Sequence, residues 1–183
     1  MAHLLNGTVL SLDHYYLALP HLTPEERAAQ NFDHPSSLDW PLIEEQLTAL
    51  RRGESILRPE YDFAVHTRRE AMHPMEPARV ILVDGIFALY ERIRPLYDLA
   101  VFVDLEDDVC FDRRLRRDVR ERGRTPESVH KQYAETVRPM CEQFVLPCRD
   151  SADVVVRGDQ PLALSASQIM CGIGFRNAEM RAV

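Results

Sequence analysis

Three aspartates stand where their side chains could do chemistry. Asp13, Asp84 and Asp104 each close an apolar segment typical of a short buried strand. In open α/β sheets, ligands bind beyond the carboxyl ends of the strands. A carboxylate at that edge can accept a proton from a substrate hydroxyl or hold a metal-bound water. Strand-end aspartates also cap following helices, and we prefer that interpretation for Asp104.

Two further segments combine aromatic and polar groups. Phe32 could stack on a base while Asp33 accepts hydrogen bonds from vicinal hydroxyls, although an Asx-turn before a helix is the alternative. Tyr61 and His66 flank the turn of a predicted hairpin, where a neutral imidazole could donate to a pyrimidine carbonyl. An isolated histidine in a hairpin is more often simply exposed.

A dense series of arginines follows the third aspartate. Seven arginines lie within the twelve residues 113–124. Planar guanidinium groups suit the oxygens of a triphosphate, and a mobile arginine-rich segment can shield a transferring phosphoryl group. A solvated helix paired with Asp108, Asp112, Asp118 and Glu121 explains part of this series. It does not readily explain Arg122 and Arg124, because Gly123 between them should already end the helix.

Composition limits the classes of function. The 183 residues carry a net charge of −7, which argues against a general binder of nucleic acid or anionic membranes. No apolar run approaches the roughly 20 residues that cross a bilayer. The four cysteines form no Cys-x-x-Cys pair, so we expect reduced thiols in a cytoplasmic protein. The only lysine is Lys131.

Strands and helices alternate along the chain. This order predicts an α/β domain with a mainly parallel sheet, flanked by helices and interrupted by a small β-hairpin. The predicted strands are 5–12, 79–84, 99–104 and 152–156, with the hairpin at 55–76. The predicted helices are 24–30, 39–52, 107–121, 125–146 with a kink at Pro139, and 161–170.

The order of short motifs is more specific than any one of them. In this order the chain resembles the uridine/cytidine kinase family, within the phosphoribulokinase/uridine kinase group of P-loop kinases. The resemblance spans residues 7–157 and rests on Leu-Asp-His-Tyr-Tyr (12–16), Glu-Glu-Arg-Ala (25–28), Asn-Phe-Asp-His-Pro (31–35), Tyr-Asp-Phe (61–63), His-Thr-Arg (66–68), Val-Asp-Gly-Ile (83–86), Arg-Arg-Leu-Arg-Arg-Asp-x3-Arg-Gly-Arg (113–124) and Gln-Tyr-x3-Val-Arg-Pro (132–139).

The resemblance implies an acceptor site for a pyrimidine nucleoside. Asp13 matches the catalytic acid that activates the 5′-hydroxyl, and Tyr16 lies in the same substrate loop. Asp33 matches the residue that holds the ribose hydroxyls, with Phe32 beside it. The residues that match contacts to the pyrimidine ring are Tyr61 and His66.

The resemblance also implies a phosphate-donor side and a metal ion. The matching lid residues are Arg114, Arg117, Arg122 and Arg124, and Gln132 matches a further pocket residue, with Arg114 and Gln132 on the substrate. Asp84 stands where the family has glutamate near magnesium, and Asp13 would reach the ion through water. The implied cofactors are Mg²⁺ and a phosphate donor, ATP or GTP.

The family's phosphate loop, Gly-x4-Gly-Lys-Ser/Thr, does not occur in these 183 residues. Only twelve residues precede Asp13, so we expect the first strand and the loop of the fold to be missing. His3–Leu5 would then be the last turn of the preceding helix. We expect an N-terminally truncated kinase-like domain at 1–157, inactive by itself, and a C-terminal helix or tail at 158–183 to which we assign no function.

Two other functions stay open from the sequence. One is a kinase of another small hydroxylated metabolite, such as a phosphoribulose or pantothenate. The other is a non-catalytic relative that binds nucleosides as a regulatory subunit. Either way we expect small-molecule ligands, no nucleic acid and no membrane, and the resemblance implies a homo-oligomer.

Overall fold

The computed structural model describes the backbone of residues 7–180 and the side chains of residues 7–174. The chain divides into two compact units, Met1–Leu96 and Tyr97–Val183. The described strands form three two-stranded sheets, two of them parallel, with helices between them along the chain. The predicted α/β class is therefore confirmed.

Within residues 7–96, the first unit is built from four strands, two α-helices and three 3₁₀ turns. Strands β1–β4 are Thr8–Ser11, Ile56–Asp62, Thr67–Met75 and Ile81–Asp84. Helices α1 and α2 are Pro24–Ala28 and Trp40–Arg51, and the 3₁₀ turns are Leu12–Tyr15, Pro35–Ser37 and Arg94–Leu96.

Strands β1 and β4 pair in parallel from Thr8↔Ile81 to Ser11↔Asp84. Leu10, at the centre of β1, is completely buried, as strands covered by other elements require. Strands β2 and β3 form the predicted hairpin, whose register shifts between Pro59 and Tyr61. A proline cannot donate to the ladder, so irregular pairing at this point is expected.

Helix α2 shows how the local sequence sets its limits. The Asp39 side chain accepts a hydrogen bond from the Leu42 N–H and caps the first turn. Gly53, at φ +77°, ends the helix in the left-handed conformation that glycine adopts without strain. Between these ends, Ile43, Leu47 and Leu50 are buried in the core of the first unit.

In the second unit, within residues 97–180, two strands and four α-helices are described. Strands β5 and β6 are Val101–Asp104 and Val154–Arg157, paired in parallel. The helices are α3 (Asp107–Glu121), α4 (Pro126–Gln132), α5 (Arg138–Met140) and α6 (Leu162–Met180).

The single kinked helix predicted over 125–146 is wrong in detail. After α4 the chain runs through a π-helical turn at Tyr133–Val137 and a second one at Cys141–Val145, and ends in a 3₁₀ helix at Leu146–Ser151. Each π turn comes just before a proline, at 139 and 147. Because proline lacks an N–H and its ring clashes with the preceding turn, the hydrogen-bond ladder shifts there.

Two other predicted boundaries move. The strand predicted at 79–84 begins at Ile81. The last helix, predicted to end at residue 170, continues to Met180. A Cβ on Gly172 would lie 2.6 Å from Val154 Cγ2, so glycine allows this extension to approach β6 closely.

Predictions for His3–Leu5 and for the start of the first strand lie outside the described residues. Within the described range, no helix is long and apolar enough to cross a membrane.

Candidate active site

Two carboxylates stand at the carboxyl ends of the paired strands β1 and β4. Asp84 is the last residue of β4 and pairs with Ser11, and Asp13 follows in the 3₁₀ turn that begins directly after β1. Leu12 and Tyr15, on either side of Asp13, are buried and anchor the turn, whereas Asp13 and Asp84 are both exposed. The register therefore brings these two predicted residues to one sheet edge.

The chemistry of this edge fits a magnesium ion. Mg²⁺ keeps several waters and takes only one or two protein carboxylates, the remaining ligands being substrate phosphates. Asp13 and Asp84 supply two exposed carboxylates of that kind. No group of three or more His, Cys, Asp or Glu side chains that could hold a metal ion occurs among the described residues.

Three residues after Asp13, Tyr16 joins side chains from two other segments in an aromatic cluster, defined as Tyr16, Phe32, Tyr61 and His66. The Tyr16 ring lies 5.4 Å from the Phe32 ring and 5.3 Å from the Tyr61 ring. Phe32 stacks on His66 with the ring centroids 5.1 Å apart and the planes 17° apart. The structure thus brings together all four aromatic residues predicted for the acceptor pocket.

The hydroxyl of Tyr61 is a polar atom without a partner inside this cluster. The Tyr61 side chain is only 4% exposed, and its hydroxyl makes no hydrogen bond with any described residue. Desolvation by burial raises the pKa of Tyr61 to about 12, against the pull of Arg27 and Arg68, so the hydroxyl stays protonated. Since buried polar groups are normally paired, this O–H is suited to a ligand acceptor.

His66 lies in the same cluster as a neutral ring. Burial, and then the positive charge of Arg27, lower the pKa of His66 below its ordinary value of 6.5. His66 also adopts φ +52°, unusual for a residue with a side chain, at the turn between β2 and β3. A neutral imidazole can donate one hydrogen bond and accept another.

The loop that carries Phe32 and Asp33 is a turn fixed by hydrogen bonds between side chains and the main chain. Asn31 Oδ1 accepts a hydrogen bond from the Asp33 N–H at 3.1 Å, which closes an Asx-turn. The Ser37 hydroxyl donates to the Phe32 carbonyl at 3.1 Å. The Asx-turn that we gave as the alternative for this segment is therefore present at Asn31. The same turn places Phe32 in the aromatic cluster.

Arg68 holds the cluster in place, a role that the sequence reasoning missed. Its guanidinium donates to the carbonyls of Tyr15 at 2.9 Å and Tyr16 at 2.7 Å, and to the Asp39 carboxylate at 2.9 Å. It therefore joins strand β3, the turn after β1 and the cap of α2. The motif His-Thr-Arg contained the residue, but nothing in the sequence indicated these distant backbone acceptors.

The second unit gathers the predicted lid arginines into one arginine cluster, defined as Arg114, Arg117, Arg122 and Arg124. All four surround the carboxylate of Asp118, which is completely buried in α3. The alternative interpretation, a helix paired with its own carboxylates, is correct in naming Asp118 as a partner, and this pairing accounts for Arg122 and Arg124 as well. It is wrong in expecting solvated pairs at Asp118, which is buried, whereas exposed residues such as Arg116, 3.9 Å from Asp112, fit it.

Gln132, at the end of α4, belongs to the same assembly. Its Oε1 accepts hydrogen bonds from Arg114, at 3.2 Å, and from Arg124. Gln132, predicted as a further pocket residue, thus contacts Arg114 and Arg124 within the second unit.

Asp104 corrects one of our expectations. Helix α3 begins at Asp107 with Glu106 at its N-cap, and no side chain caps it. The Asp104 carboxylate instead lies 3.4 Å from Arg149. The strand ends two residues too early for Asp104 to reach the helix cap.

Comparison with known proteins is consistent with this architecture. Residues 6–161 match the sequence model of the Phosphoribulokinase / Uridine kinase family. The uridine kinase of Vibrio cholerae serotype O1 is 48% identical over 149 residues, which are 81% of this chain and 70% of that protein. The uridine kinase of Aeromonas hydrophila is 46% identical over the same shares of both chains.

Solved structures share the fold at low sequence identity. A Silicibacter sp. TM1040 protein, to which a fructose transport system kinase role is assigned, has a TM-score of 0.66 at 18% identity, over 82% of this chain and 74% of its own. YFH7 from Saccharomyces cerevisiae, assigned to the P-loop containing kinases, has a TM-score of 0.60 at 12% identity, over 84% of this chain and 59% of its own. At these identities the likeness establishes the P-loop kinase fold. With the family match over most of its length, the chain belongs to the phosphoribulokinase/uridine kinase family.

Proposed function

We propose that this chain provides the nucleoside-binding part of a kinase that transfers a phosphate from ATP or GTP to the 5′-hydroxyl of uridine or cytidine. The observation that carries the proposal is the aromatic cluster, in which Tyr16, Phe32 and the hairpin residues Tyr61 and His66 meet from three separate segments, with ring centroids 5.1–6.4 Å apart. The 48% identity to a uridine kinase supports the same acceptor.

In this proposal the aromatic cluster takes the pyrimidine ring. Phe32 offers a ring face, and the planar base replaces its present stack on His66. The buried Tyr61 hydroxyl and the neutral His66 imidazole supply hydrogen bonds to the polar edge of the base. Asp33, next to Phe32, accepts hydrogen bonds from the two ribose hydroxyls.

Asp13 is the proposed general base. As an exposed carboxylate beyond strand β1, it accepts the proton of the 5′-hydroxyl as that oxygen attacks the phosphoryl group. Asp84 and, through water, Asp13 would hold Mg²⁺, which supplies charge neutralisation for the phosphate oxygens when bound. Both carboxylates lie at the sheet edge where the family fold binds its ligands.

The arginine cluster is the proposed phosphate-binding surface. Arg117, Arg122 and Arg124 stabilise the negative charge of the donor phosphates and of the transferring group. Arg114, which donates to Gln132, belongs to the same surface. In this proposal the kinase-like region is 1–157, and the C-terminal residues 158–183, which include α6, have no assigned role.

Nucleoside binding by the 183-residue chain tests the acceptor site. Isothermal titration calorimetry should detect uridine or cytidine and should give no comparable heat with adenosine, pantothenate or ribulose 5-phosphate. Asp33→Asn should weaken uridine binding about tenfold, because a charged acceptor for the ribose hydroxyls is lost. Asp112→Asn, an exposed carboxylate of the second unit, is the control and should leave the affinity unchanged. Absence of uridine binding, or preferential binding of another member of the panel, contradicts the proposal.

Phosphate transfer is a separate test. The 183 residues hold no Gly-x4-Gly-Lys-Ser/Thr, the element whose backbone N–H groups and lysine grip the donor phosphates. We therefore expect the 183-residue polypeptide with ATP, Mg²⁺ and uridine to form no uridine monophosphate. Measurable ATP-dependent turnover by this polypeptide would contradict that part of the proposal.

A further inference from the structure

Asp118 is the most deeply buried charged group among the described residues. Its side chain is 0% exposed, although it lies in α3, a helix most of whose side chains are polar. A buried carboxylate is costly unless positive charge and hydrogen bonds compensate it. Four arginines supply the positive charge and Arg117 a hydrogen bond to Oδ1, whereas Oδ2 accepts no hydrogen bond among the described residues. The proposed function gives this carboxylate no role.

The four arginines approach the two carboxylate oxygens from different directions. Arg117 donates to Oδ1 from Nε at 2.9 Å, and Arg122 lies 3.3 Å from the same oxygen. Arg114 and Arg124 both lie 3.6 Å from Oδ2. One carboxylate thus holds the whole arginine cluster, and each of its oxygens serves two guanidinium groups.

The main chain of Asp118 contributes as well. Its carbonyl accepts the N–H of Arg122 at 3.3 Å and the N–H of Arg124 at 3.1 Å. Gly123, between them, has φ +63° and turns the chain back at the end of α3. This turn returns Arg124 to the helix that carries Arg114 and Arg117, so the same residue anchors both sides of the cluster.

A second anchor fixes the side of the cluster away from Asp118. Gln132 Oε1 accepts from both Arg114 and Arg124, and Arg124 also donates to the Ser128 carbonyl at 3.1 Å. Arg114 and Arg124 are therefore held at two points. The Arg117 and Arg122 side chains stay 44% and 50% exposed, so their guanidinium groups reach solvent while being tied at one side.

The charges do not balance within the cluster. Four guanidinium groups surround one carboxylate, far more positive charge than a buried acid needs. Guanidinium groups packed this closely repel one another, and the carboxylate between them reduces that repulsion. The remaining positive charge is arranged in advance for a multivalent anion such as a polyphosphate.

We infer that Asp118 is a positioning residue that assembles Arg114, Arg117, Arg122 and Arg124 into a preformed polyphosphate-binding surface. This inference rests on the proposed phosphate role of the arginine cluster and assigns a function to the carboxylate beneath it. Asp118 itself contacts no phosphate. It acts through the arginines, by fixing the positions of their solvent-exposed guanidinium groups.

Whether Asp118→Asn weakens or strengthens anion binding distinguishes a positioning role from an effect of net charge. Asp118→Asn keeps the shape of the side chain but removes a negative charge next to the proposed anion site. If only net charge mattered, this variant would bind an anion more tightly. Positioning predicts the opposite: the affinity for inorganic tripolyphosphate, measured by calorimetry at low salt, falls about tenfold, the size of coupling typical between contacting residues. Unchanged or tighter binding overturns the inference.

Matched variants keep this test separate from the proposed function. Asp112→Asn removes an exposed carboxylate from the same helix and should bind tripolyphosphate at least as tightly as the unsubstituted chain. Arg117→Gln and Arg122→Gln should each weaken the binding. If neither does, the proposed phosphate role of the cluster fails. If both do while Asp118→Asn does not, only the positioning role fails.

A measurement on the unsubstituted chain covers the case in which Asp118→Asn does not fold. The Arg117 Nε–H, bonded to the buried carboxylate, should give an arginine side-chain signal that exchanges slowly with water in ¹⁵N NMR spectra. Arg117→Gln assigns this signal by removing it. Tripolyphosphate should shift it without releasing its protection. Rapid exchange of the Arg117 Nε–H in the folded chain overturns the inference.

Discussion

At the scale of single residues, two buried tyrosines of the first unit differ in one respect. The Tyr15 hydroxyl donates to Gln46 Oε1 at 2.6 Å, whereas the Tyr61 hydroxyl has no hydrogen-bond partner among the described residues. Both side chains are almost fully buried. In our proposal the Tyr15 hydroxyl stabilises the fold, whereas the Tyr61 hydroxyl binds a ligand.

Removing each hydroxyl should therefore have opposite consequences. Tyr15→Phe should lower the free energy of unfolding by about 1 kcal/mol, because it breaks a buried hydrogen bond and leaves Gln46 without its donor. Tyr61→Phe should leave that free energy unchanged or raise it, and should weaken uridine binding. Urea denaturation and calorimetry on both variants measure the two effects. A Tyr61→Phe variant that binds uridine normally would contradict the role given to the hydroxyl.

The two histidines beside Tyr61 predict how stability depends on pH. Desolvation, followed by the positive charge of Arg58 for His14 and of Arg27 for His66, lowers both pKa values from 6.5. His14 Nδ1 also accepts the Tyr61 N–H at 3.3 Å, which a proton there would prevent. As the pH falls through 6.5, the unfolded chain takes up these protons before the folded chain does.

The free energy of unfolding should thus decrease as the pH falls from about 7 to about 5, before most carboxylates titrate. Thermal unfolding followed across this range measures the loss. The double variant His14→Gln, His66→Gln should show a flatter profile over the same interval. A profile as steep as that of the unsubstituted chain would mean that other groups cause the dependence.

At the scale of elements, neighbouring arginines of strand β3 make very different connections. Arg68 donates to two main-chain carbonyls and to the Asp39 carboxylate, and its side chain is 18% exposed. Arg69 is 54% exposed and pairs with Glu60 and Asp62 on the partner strand β2. Only the first joins the hairpin to the turn after β1 and to the start of α2.

Arg68→Met should lower the free energy of unfolding by about 2–4 kcal/mol, since it leaves two carbonyls and a carboxylate without their donor. It should also weaken uridine binding, because the Tyr16 carbonyl loses its tether to β3. Arg69→Met, on the same strand, should change stability little because exposed ion pairs contribute little. Denaturant titrations of the two variants make the comparison. If Arg68→Met and Arg69→Met lowered the free energy of unfolding equally, the hydrogen bonds of Arg68 would not have the stabilising role we give them.

Local patterns predicted most of the elements that carry the site. The apolar segments ending in Asp13 and Asp84 specify two parallel strands, and parallel strands bring their carboxyl ends to one edge. The meeting of Tyr16, Phe32, Tyr61 and His66 followed from motif order, since no local rule joins residues so far apart.

The burial of Asp118 and the contacts of Arg68 escaped the sequence reasoning for physical reasons. Charged residues on a mostly polar helix are ordinarily exposed to solvent. The burial of Asp118 therefore depends on how α3 packs with α4, which the helix sequence does not show. The bonds of Arg68 end on main-chain carbonyls, which every residue possesses and no sequence motif marks.

At the scale of the whole molecule, the two classes of predicted residue occupy different units. The aromatic cluster, Asp13, Asp33 and Asp84 belong to Met1–Leu96, and the arginine cluster with Gln132 belongs to Tyr97–Val183. The proposal accordingly assigns the acceptor to the first unit and the phosphates to the second. Each assignment has its own ligand and its own observable response.

Hydrogen exchange with mass spectrometry should separate the two responses. Saturating uridine should slow exchange in peptides that cover 31–38 and 56–75, and tripolyphosphate should slow exchange in peptides that cover 107–132. The reason is that a ligand which binds the folded form raises the free energy of local opening at its site. If uridine slowed exchange only in peptides within 107–132, the nucleoside would bind to the second unit, which would contradict our proposal.

A crystal structure of the chain with bound uridine tests the central claim most directly. The account predicts that the base displaces the stack of Phe32 on His66 and lies within hydrogen-bond distance of the Tyr61 hydroxyl. It also predicts the ribose hydroxyls at Asp33 and the 5′-hydroxyl at Asp13. Uridine bound on another surface, with the Tyr61 hydroxyl still unpaired, would contradict it.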